Sequence, residues 1–249
     1  MTPDTVPVRD FIHVLLQPAG ASSILDIGCG RGEDLRQIAQ LTGGDARLVG
    51  IDASEATIAD ARRGAADDSR YSFLAHDVTT GLPFGDDEFD CVLSVNLLEC
   101  IPDRQQLLRE VHRVLKPGGR VVFAHWDWDS QLFDGDDKAL VRQIVHTFAD
   151  WQQAWMADAD AWMGRRLWRT FQESGGFEGA VHPFVLTNTR FGPGTYGHAS
   201  IENFRGLVKR GMLAPERYES FYRSVVELAA TNRYFYSITM FVYAGNKRG

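Results

Sequence analysis

A glycine-rich loop and a carboxylate further along the chain carry the first chemistry that this sequence suggests. Gly28, Gly30 and Gly32 follow the apolar run Ser23–Ile27. Glycines at such a point let the backbone approach a ligand closely, because they have no Cβ and adopt left-handed φ values at little cost. Asp52 follows Gly32 by twenty residues and ends a second apolar run. In nucleotide-binding α/β folds, a carboxylate at this position binds the two hydroxyls of a ribose.

The spacing of the glycines separates two kinds of nucleotide site. A nicotinamide or flavin dinucleotide site has the pattern GxGxxG. Here Gly32 lies two positions after Gly30, and the pattern is GxGxG. The shift favours a ligand that has no pyrophosphate to place on the N-terminus of the following helix. Taken alone, the loop also fits a tight strand-to-helix turn that binds nothing.

The elements that must position these residues alternate between strands and helices. Apolar runs predict strands at 23–27, 47–52, 71–74, 89–94 and 120–124, with helices at 33–41, 54–66 and 103–115. This alternation predicts βαβ units and therefore a mostly parallel sheet covered on both faces. Further strands are expected at 181–189 and 236–244, and two helices within 198–233. No linker interrupts the chain, so we expect a single domain over 1–249.

Composition excludes several classes of function. The 249 residues carry a net charge of −7, which argues against a general nucleic-acid binder because phosphate recognition needs a basic surface. The three cysteines form no CxxC pair, so neither a metal site nor a disulfide framework is expected. No signal peptide or run of about 20 apolar residues is present, as a membrane span would need. We therefore expect a cytoplasmic protein, either a monomer or a homodimer.

Six ordered motifs give the sequence a family resemblance. They occupy residues 26–32, 49–52, 76–78, 82–90, 95–103 and 115–119. In order and spacing they resemble the class I S-adenosylmethionine (SAM)-dependent methyltransferases, especially the small-molecule enzymes related to the ubiquinone and menaquinone C-methyltransferases. The resemblance implies a Rossmann-like, doubly wound α/β fold. Its mostly parallel seven-stranded sheet would have an antiparallel C-terminal strand and a helical elaboration on the substrate side.

The same resemblance implies SAM as cofactor, S-adenosylhomocysteine as product, and a division of labour along the chain. Residues 22–124 would form the SAM-binding core, and residues 125–235 the acceptor-binding elaboration and lid. The family pattern implies cofactor-binding roles for eight residues. Gly28 and Gly30 would lie near the methionine portion, with Asp26 beneath the loop, and Asn96 would face the methionine end. Asp52 would bind the ribose, and the residues near the adenine would be Ala53, Asp77 and Val78. The sequence departs from the pattern at Cys100, where many relatives have histidine.

The acceptor is less defined, because methyl transfer from a sulfonium mainly requires alignment of the acceptor and exclusion of water. We expect a small-molecule acceptor, with oxygen or nitrogen as the methylated atom. His125 and Asp127, just past the fifth predicted strand, are the candidate catalytic bases. The alternative is that His125 hydrogen-bonds backbone at the strand end. His198, on a predicted loop, is a second candidate, although a loop histidine is more often solvent-exposed than catalytic.

All six tryptophans fall within residues 125–170. Trp151 and Trp155 have helical spacing, which is typical of core packing. Aromatic rings together with Asp127, Asp129, Asp150 and Asp158 would also suit a cationic amine. Two further functions stay open: methylation of RNA or protein, and a SAM-binding regulatory protein without turnover.

Overall fold

A computed structural model describes residues 2–66, 68–154 and 156–249. Its centre is a seven-stranded sheet in the order β3-β2-β1-β4-β5-β7-β6. Neighbours from β3 to β5 pair in parallel, and β7 runs antiparallel to both β5 and β6. This topology confirms the predicted fold class. The strands are β1 (Ser23–Ile27), β2 (Arg47–Asp52), β3 (Tyr71–Ala75), β4 (Phe89–Val95), β5 (Leu115–Phe133), β6 (Phe177–Asn188) and β7 (Tyr236–Lys247).

Helices cover both faces of the sheet, because side chains alternate sides along each strand. Ile24 of β1 packs in the same cluster as Ile12 of α1, whereas its neighbour Leu25 packs with Val111 of α4 in a second cluster. The helices are α1 (Val6–Leu16), α2 (Glu33–Ile38), α3 (Glu55–Ala65), α4 (Arg104–Val114), α5 (Lys138–Ala149), α6 (Met163–Ser174), α7 (Tyr196–Lys209) and α8 (Pro215–Ala230). Across the described residues, no helix combines the length and apolar character that crossing a bilayer requires.

Two helix starts follow directly from side-chain capping. The Ser54 hydroxyl accepts from the Thr57 amide at 3.2 Å, and Asp103 accepts from the Gln106 amide at 2.8 Å. Each cap satisfies one of the amides that a helix N-terminus leaves without an intrahelical partner. Both helix starts are those predicted from the sequence.

Several regions differ from the predicted elements, and no helix was predicted at the positions of α5 and α6. Helix α1 was not predicted. Strand β5 begins at Leu115, where it pairs with Phe89 before a register shift, rather than at residue 120. Trp151 lies after the end of α5 and not in a helix, and its ring lies where a Cβ on Gly206 of α7 would stand 2.7 Å away. Trp155, its predicted helical partner, lies outside the described residues.

Candidate active site

The glycine loop connects β1 to α2 at the carboxyl edge of the sheet. The amides of Gly28 and Cys29 donate to the Ile51 carbonyl of β2 at 2.8 and 2.9 Å. Gly30 has a φ of +54°, and a Cβ there would meet nothing within 4 Å. At Gly50, by contrast, a Cβ would stand 2.7 Å from both Cys29 Sγ and the Phe73 ring. The loop is therefore held tightly against β2 while its backbone at Gly30 faces open space.

Asp52 joins the loop to the end of β2. Its Oδ2 accepts from the Gly30 amide at 3.1 Å, and its Oδ1 accepts from the Ser54 amide at 2.9 Å. Each carboxylate oxygen can accept a further hydrogen bond, since an ionised carboxylate offers about four lone-pair sites. The half-buried side chain thus has acceptor capacity left for a pair of hydroxyls such as those of a ribose.

The end of β3 places a second carboxylate beside Asp52. The His76 amide donates to the Asp52 carbonyl at 2.9 Å, which fixes the two strand ends together. Both recorded bonds to the Asp77 carboxylate, from the Thr79 amide at 2.9 Å and hydroxyl at 2.7 Å, fall on Oδ1. These bonds lower the pKa of Asp77, so the exposed group is an ionised acceptor at neutral pH. Val78 is buried directly after it, and Ala53 is exposed at the end of β2.

Asp26 lies in β1, two residues before the first glycine of the loop. Its side chain is 1% exposed, and its Oδ2 has no hydrogen-bond partner within the described part of the chain. Burial, together with the charge of Asp34, raises the pKa of Asp26 well above its ordinary value. A buried carboxyl oxygen without a partner is costly, so the loop above it is a place where a polar ligand group could supply the missing bond.

Asn96 lies at the end of β4 with a left-handed φ of +56°, which asparagine tolerates better than most residues. Its amide donates to the Ala124 carbonyl at 2.9 Å, and its Oδ1 accepts from the Trp126 amide at 3.1 Å. It lines a cavity of about 430 Å³, here called the Asn96 cavity, whose walls also include Arg9, Glu33, Trp126, Tyr196 and Met240.

Arg9 and Glu33 are functional candidates that sequence reasoning missed. Arg9 belongs to α1, and its guanidinium pairs with the buried Asp34 of α2. Asp34 also bonds His13 Nε2 at 2.9 Å. Burial raises the pKa of Asp34, but the hydrogen bond from His13 and the charge of Arg9 outweigh it, so that this pKa is lowered. The family motifs could not identify Arg9, because α1 precedes all of them in the chain.

The predicted catalytic bases lie inside the protein. His125 is 1% exposed, its Nδ1 lies 2.8 Å from the Trp126 carbonyl, and burial lowers its pKa to about 4. This is the backbone contact that the alternative interpretation expected. Asp127 is fully buried and accepts two bonds from Arg165, both at 2.5 Å. A role for either residue in proton transfer stays a prediction.

A second cavity, the Glu99 cavity, has a volume of about 240 Å³. Its walls include Glu99, Trp128, Phe148, Trp151 and Asp160, and it shares Tyr196 and Ala199 with the Asn96 cavity. Glu99 follows β4 in a short turn of 3₁₀ helix, and its Oε2 accepts from Trp128 Nε1 at 2.6 Å. Burial raises the pKa of Glu99 to about 7, with Asp160 adding to the rise and the Trp128 bond opposing it.

The carboxylates expected to hold a cationic amine are mostly engaged by the protein itself. Asp127 pairs with Arg165, and Asp158 pairs with Arg104 at 2.8 Å. Asp129 accepts from Trp162 Nε1 at 3.0 Å and lies 3.4 Å from His146 Nε2. These carboxylates are therefore less available to bind a cationic amine than the sequence suggested.

Comparison with known proteins assigns the chain to a family of domains. Residues 19–176, more than half of the chain, match the family described as "Methyltransferase domain". The demethylmenaquinone methyltransferase of Shouchella clausii is 35% identical over 115 residues, covering 46% of this chain and 48% of that protein. The 27-O-demethylrifamycin SV methyltransferase of Amycolatopsis mediterranei is 37% identical over 121 residues, covering 47% and 43%. The chain thus spans less than half the length of these curated relatives.

The fold is also similar to that of solved methyltransferase structures. An S-adenosylmethionine dependent methyltransferase from Mesorhizobium loti superposes with a TM-score of 0.56 at 21% identity, covering 98% of both chains. At this identity the similarity concerns the arrangement of strands and helices. It extends over the whole chain, including the part beyond residue 176.

Proposed function

Since this chain belongs to the class I SAM-dependent methyltransferases, with SAM as cofactor, we propose that it transfers the methyl group of SAM to a small-molecule acceptor, at oxygen or nitrogen. The single observation that carries the proposal is the convergence of the glycine loop, Asp52, Asp77 and Asn96 at one edge of the sheet, next to a cavity of about 430 Å³. Open α/β sheets bind their ligands at this edge.

In this proposal, each strand end contacts one part of the cofactor. Asp52 binds the ribose hydroxyls, Ala53 and Val78 flank the adenine, and Asp77 accepts from its amino group. Gly28 and Gly30, supported from below by Asp26, let the backbone approach the methionine portion without steric conflict. Asn96 faces the methionine end. The bound cofactor supplies an electrophilic methyl group on a positively charged sulfur.

Residues 125–235 hold the acceptor in this proposal. The Glu99 cavity lies between the segment that follows α5, the end of α5 and the first half of α7, and it shares a wall with the Asn96 cavity. An acceptor held there needs chiefly to be aligned with the methyl carbon and shielded from water. The acceptors named in two relatives, a demethylmenaquinone and a demethylrifamycin, are small molecules. The net charge of −7 also favours a small acceptor over RNA.

Calorimetry with SAM tests the cofactor site. Asp52→Ala should weaken SAM binding about 10- to 100-fold, because hydrogen bonds to a charged group contribute about 1.5–3 kcal/mol. Asp45→Ala, on an exposed turn before β2, is the matched control and should bind like the wild type. Unchanged affinity of the Asp52 variant would contradict its assignment to the ribose.

Radiolabelled SAM tests the acceptor class. The protein is incubated with small-molecule, RNA and protein fractions of a bacterial extract, and label is expected in the small-molecule fraction. Label only in RNA or protein would overturn the small-molecule assignment. SAM binding without transfer to any fraction would indicate a SAM-binding protein without turnover.

A further inference from the structure

Given the proposed methyl transfer, on which this inference rests, we propose that the Glu99 cavity binds an apolar acceptor that carries a hydroxyl group, and that the Glu99 carboxylate takes the proton of that hydroxyl. Glu99 would then be the catalytic base of the reaction. Neither His125 nor Asp127 is needed for this step.

The position of the cavity is the first support. Tyr196 and Ala199 line both the Glu99 cavity and the Asn96 cavity, so the first turn of α7 forms a wall that is common to the two spaces. A molecule in the Glu99 cavity would therefore approach the methionine end of the cofactor across this shared wall. Asn96 and Glu99 also lie on the same short segment after β4, three residues apart in the chain.

The walls of the cavity define the body of the acceptor. Trp128 and Phe148 meet edge to face with ring centroids 6.1 Å apart, and Phe148 and Trp151 meet similarly at 6.2 Å. Together with Tyr196, four large aromatic side chains thus line one small space. Such walls favour an apolar or ring-bearing molecule, because its burial removes apolar surface from water on both sides.

Among the described residues, Glu99 is the carboxylate in this cavity that has no positively charged partner. Asp160, the other acid in the wall, lies 2.6 Å from Arg166 and 3.3 Å from Arg104. Within residues 2–66, 68–154 and 156–249, Glu99 forms no ion pair with a lysine or an arginine. Its ionisable neighbour is His125, whose Nε2 is 3.8 Å away and has no hydrogen-bond partner within those residues.

Charge decides between a hydroxyl and a cationic amine as acceptor. The cofactor carries a positive sulfur, so a second cation in the adjoining cavity would be repelled where little water screens the charges. Burial brings the pKa of Glu99 to about 7, which suits a group that exchanges a proton at neutral pH better than a permanent counter-ion. The titratable groups that face Glu99 are Cys100 beside it in the chain, His125 from β5, Asp160 from the segment before α6 and Tyr196 from α7, and Arg104 of α4 lies near His125 and Asp160.

The proposed step is balanced in atoms and charge. The O–H bond of the acceptor breaks and its proton passes to a Glu99 oxygen. The electron pair of the acceptor oxygen forms the new O–CH₃ bond, and the S–CH₃ pair stays on sulfur. Glu99 becomes neutral, the positive charge of the donor is lost, and a methyl ether and S-adenosylhomocysteine result.

Binding is tested first, with 4-propylphenol as the hydroxyl probe and 4-propylbenzylamine as its cationic counterpart. Calorimetry in saturating S-adenosylhomocysteine should show binding of the phenol and at least tenfold weaker binding of the amine. Ala199→Leu, which fills the shared wall, should abolish phenol binding. Preference for the amine, or absence of phenol binding to the wild type, would overturn the inference.

Kinetics with the same phenol then test the role of Glu99. Glu99→Gln should lower kcat by about 10²- to 10⁴-fold, the usual contribution of a general base, while KM changes little. The wild-type kcat should rise with pH through about 7, and this rise should be absent in the variant. Glu173→Gln on the exposed face of α6 is the matched control and should retain the wild-type rate and profile.

A second readout does not depend on turnover. Because Trp128 Nε1 donates to Glu99, the tryptophan fluorescence of the wild type should titrate near pH 7, and this titration should vanish in both Glu99→Gln and Trp128→Phe.

An unchanged kcat and pH profile in Glu99→Gln would refute the role of Glu99 as the catalytic base. If amines are methylated and phenols are not, the inference fails while the proposed function stands. Loss of SAM binding by the wild type would remove the proposed function itself.

Discussion

At the residue scale, the buried His125 has a consequence for stability. Burial lowers its pKa to about 4, whereas histidine in an unfolded chain titrates near 6.5. Between these values the unfolded chain binds a proton that the folded protein does not. The contribution of neutral His125 to the stability of the folded protein is therefore complete above about pH 6.5 and is lost as the pH falls towards 4.

We expect His125→Asn to reduce this pH dependence. The difference in unfolding free energy between wild type and variant should shift by up to about 3 kcal/mol between pH 7 and pH 4. Urea unfolding across this range measures it. His146→Asn, at an exposed position in the last turn of α5, is the control and should follow the wild type at each pH. Parallel curves for wild type and His125→Asn would show that His125 is not held neutral.

The positions of the residues proposed to bind the cofactor could be predicted, because these positions depend on local spacing. The loop Gly28–Gly32 and Asp52 follow strands directly, so their place at the sheet edge follows from the strand pattern. Glu99 carries no such signal. Its burial and its contact with Trp128 depend on a residue 29 positions away. The sequence places Glu99 beside Asn96 but does not indicate that it faces a cavity.

At the scale of elements, the contact between α1 and α2 places α1 against the Asn96 cavity at the carboxyl edge of the sheet. Asp34 of α2 is held by Arg9 and His13 of α1, and Asp4, just before α1, accepts from the Tyr196 amide at 2.7 Å. The first helix is thereby fixed to both the glycine-loop helix and α7. It forms a wall of the Asn96 cavity through Val8, Arg9 and Ile12.

Removing the buried charge of Asp34 should loosen this wall. Asp34→Asn is expected to destabilise the protein by about 3 kcal/mol, because the Arg9 guanidinium loses its counter-charge and the buried His13 loses its carboxylate hydrogen-bond partner. Asp86→Asn, whose side chain is 76% exposed and pairs with Arg113, is the control and should cost less than about 1 kcal/mol. Urea unfolding at pH 7 compares them. Equal losses in the two variants would contradict the role of Asp34 in fixing α1.

The elements themselves were predictable to different degrees. The alternation up to residue 124 has clear periodicity and turn residues, and the caps at Ser54 and Asp103 mark two helix starts. The region around Trp151 was misread because a spacing of four residues also occurs in irregular chain. Packing of the Trp151 ring against Gly206, which is far away in sequence, holds it in place instead.

At the scale of the whole molecule, net charge predicts the kind of partner. With 26 basic and 33 acidic residues, the protein should bind a fluorescein-labelled 20-nucleotide RNA with a Kd no tighter than about 10⁻⁴ M at physiological salt. Fluorescence anisotropy measures this binding, and a basic peptide such as oligolysine serves as a positive control. Micromolar binding that weakens steeply with salt would contradict the prediction and reopen RNA as the acceptor.

The sequence by itself determined the fold class, the family and the edge of the sheet at which we propose that the cofactor binds. These features depend on the periodicity of apolar residues and on glycines and carboxylates whose positions follow directly from the local sequence. Only the tertiary structure decided that His125 and Asp127 are buried, that α1 covers the Asn96 cavity and that Glu99 faces a cavity of aromatic side chains. Burial and the pKa that follows from it depend on contacts between distant segments, and no local pattern records them.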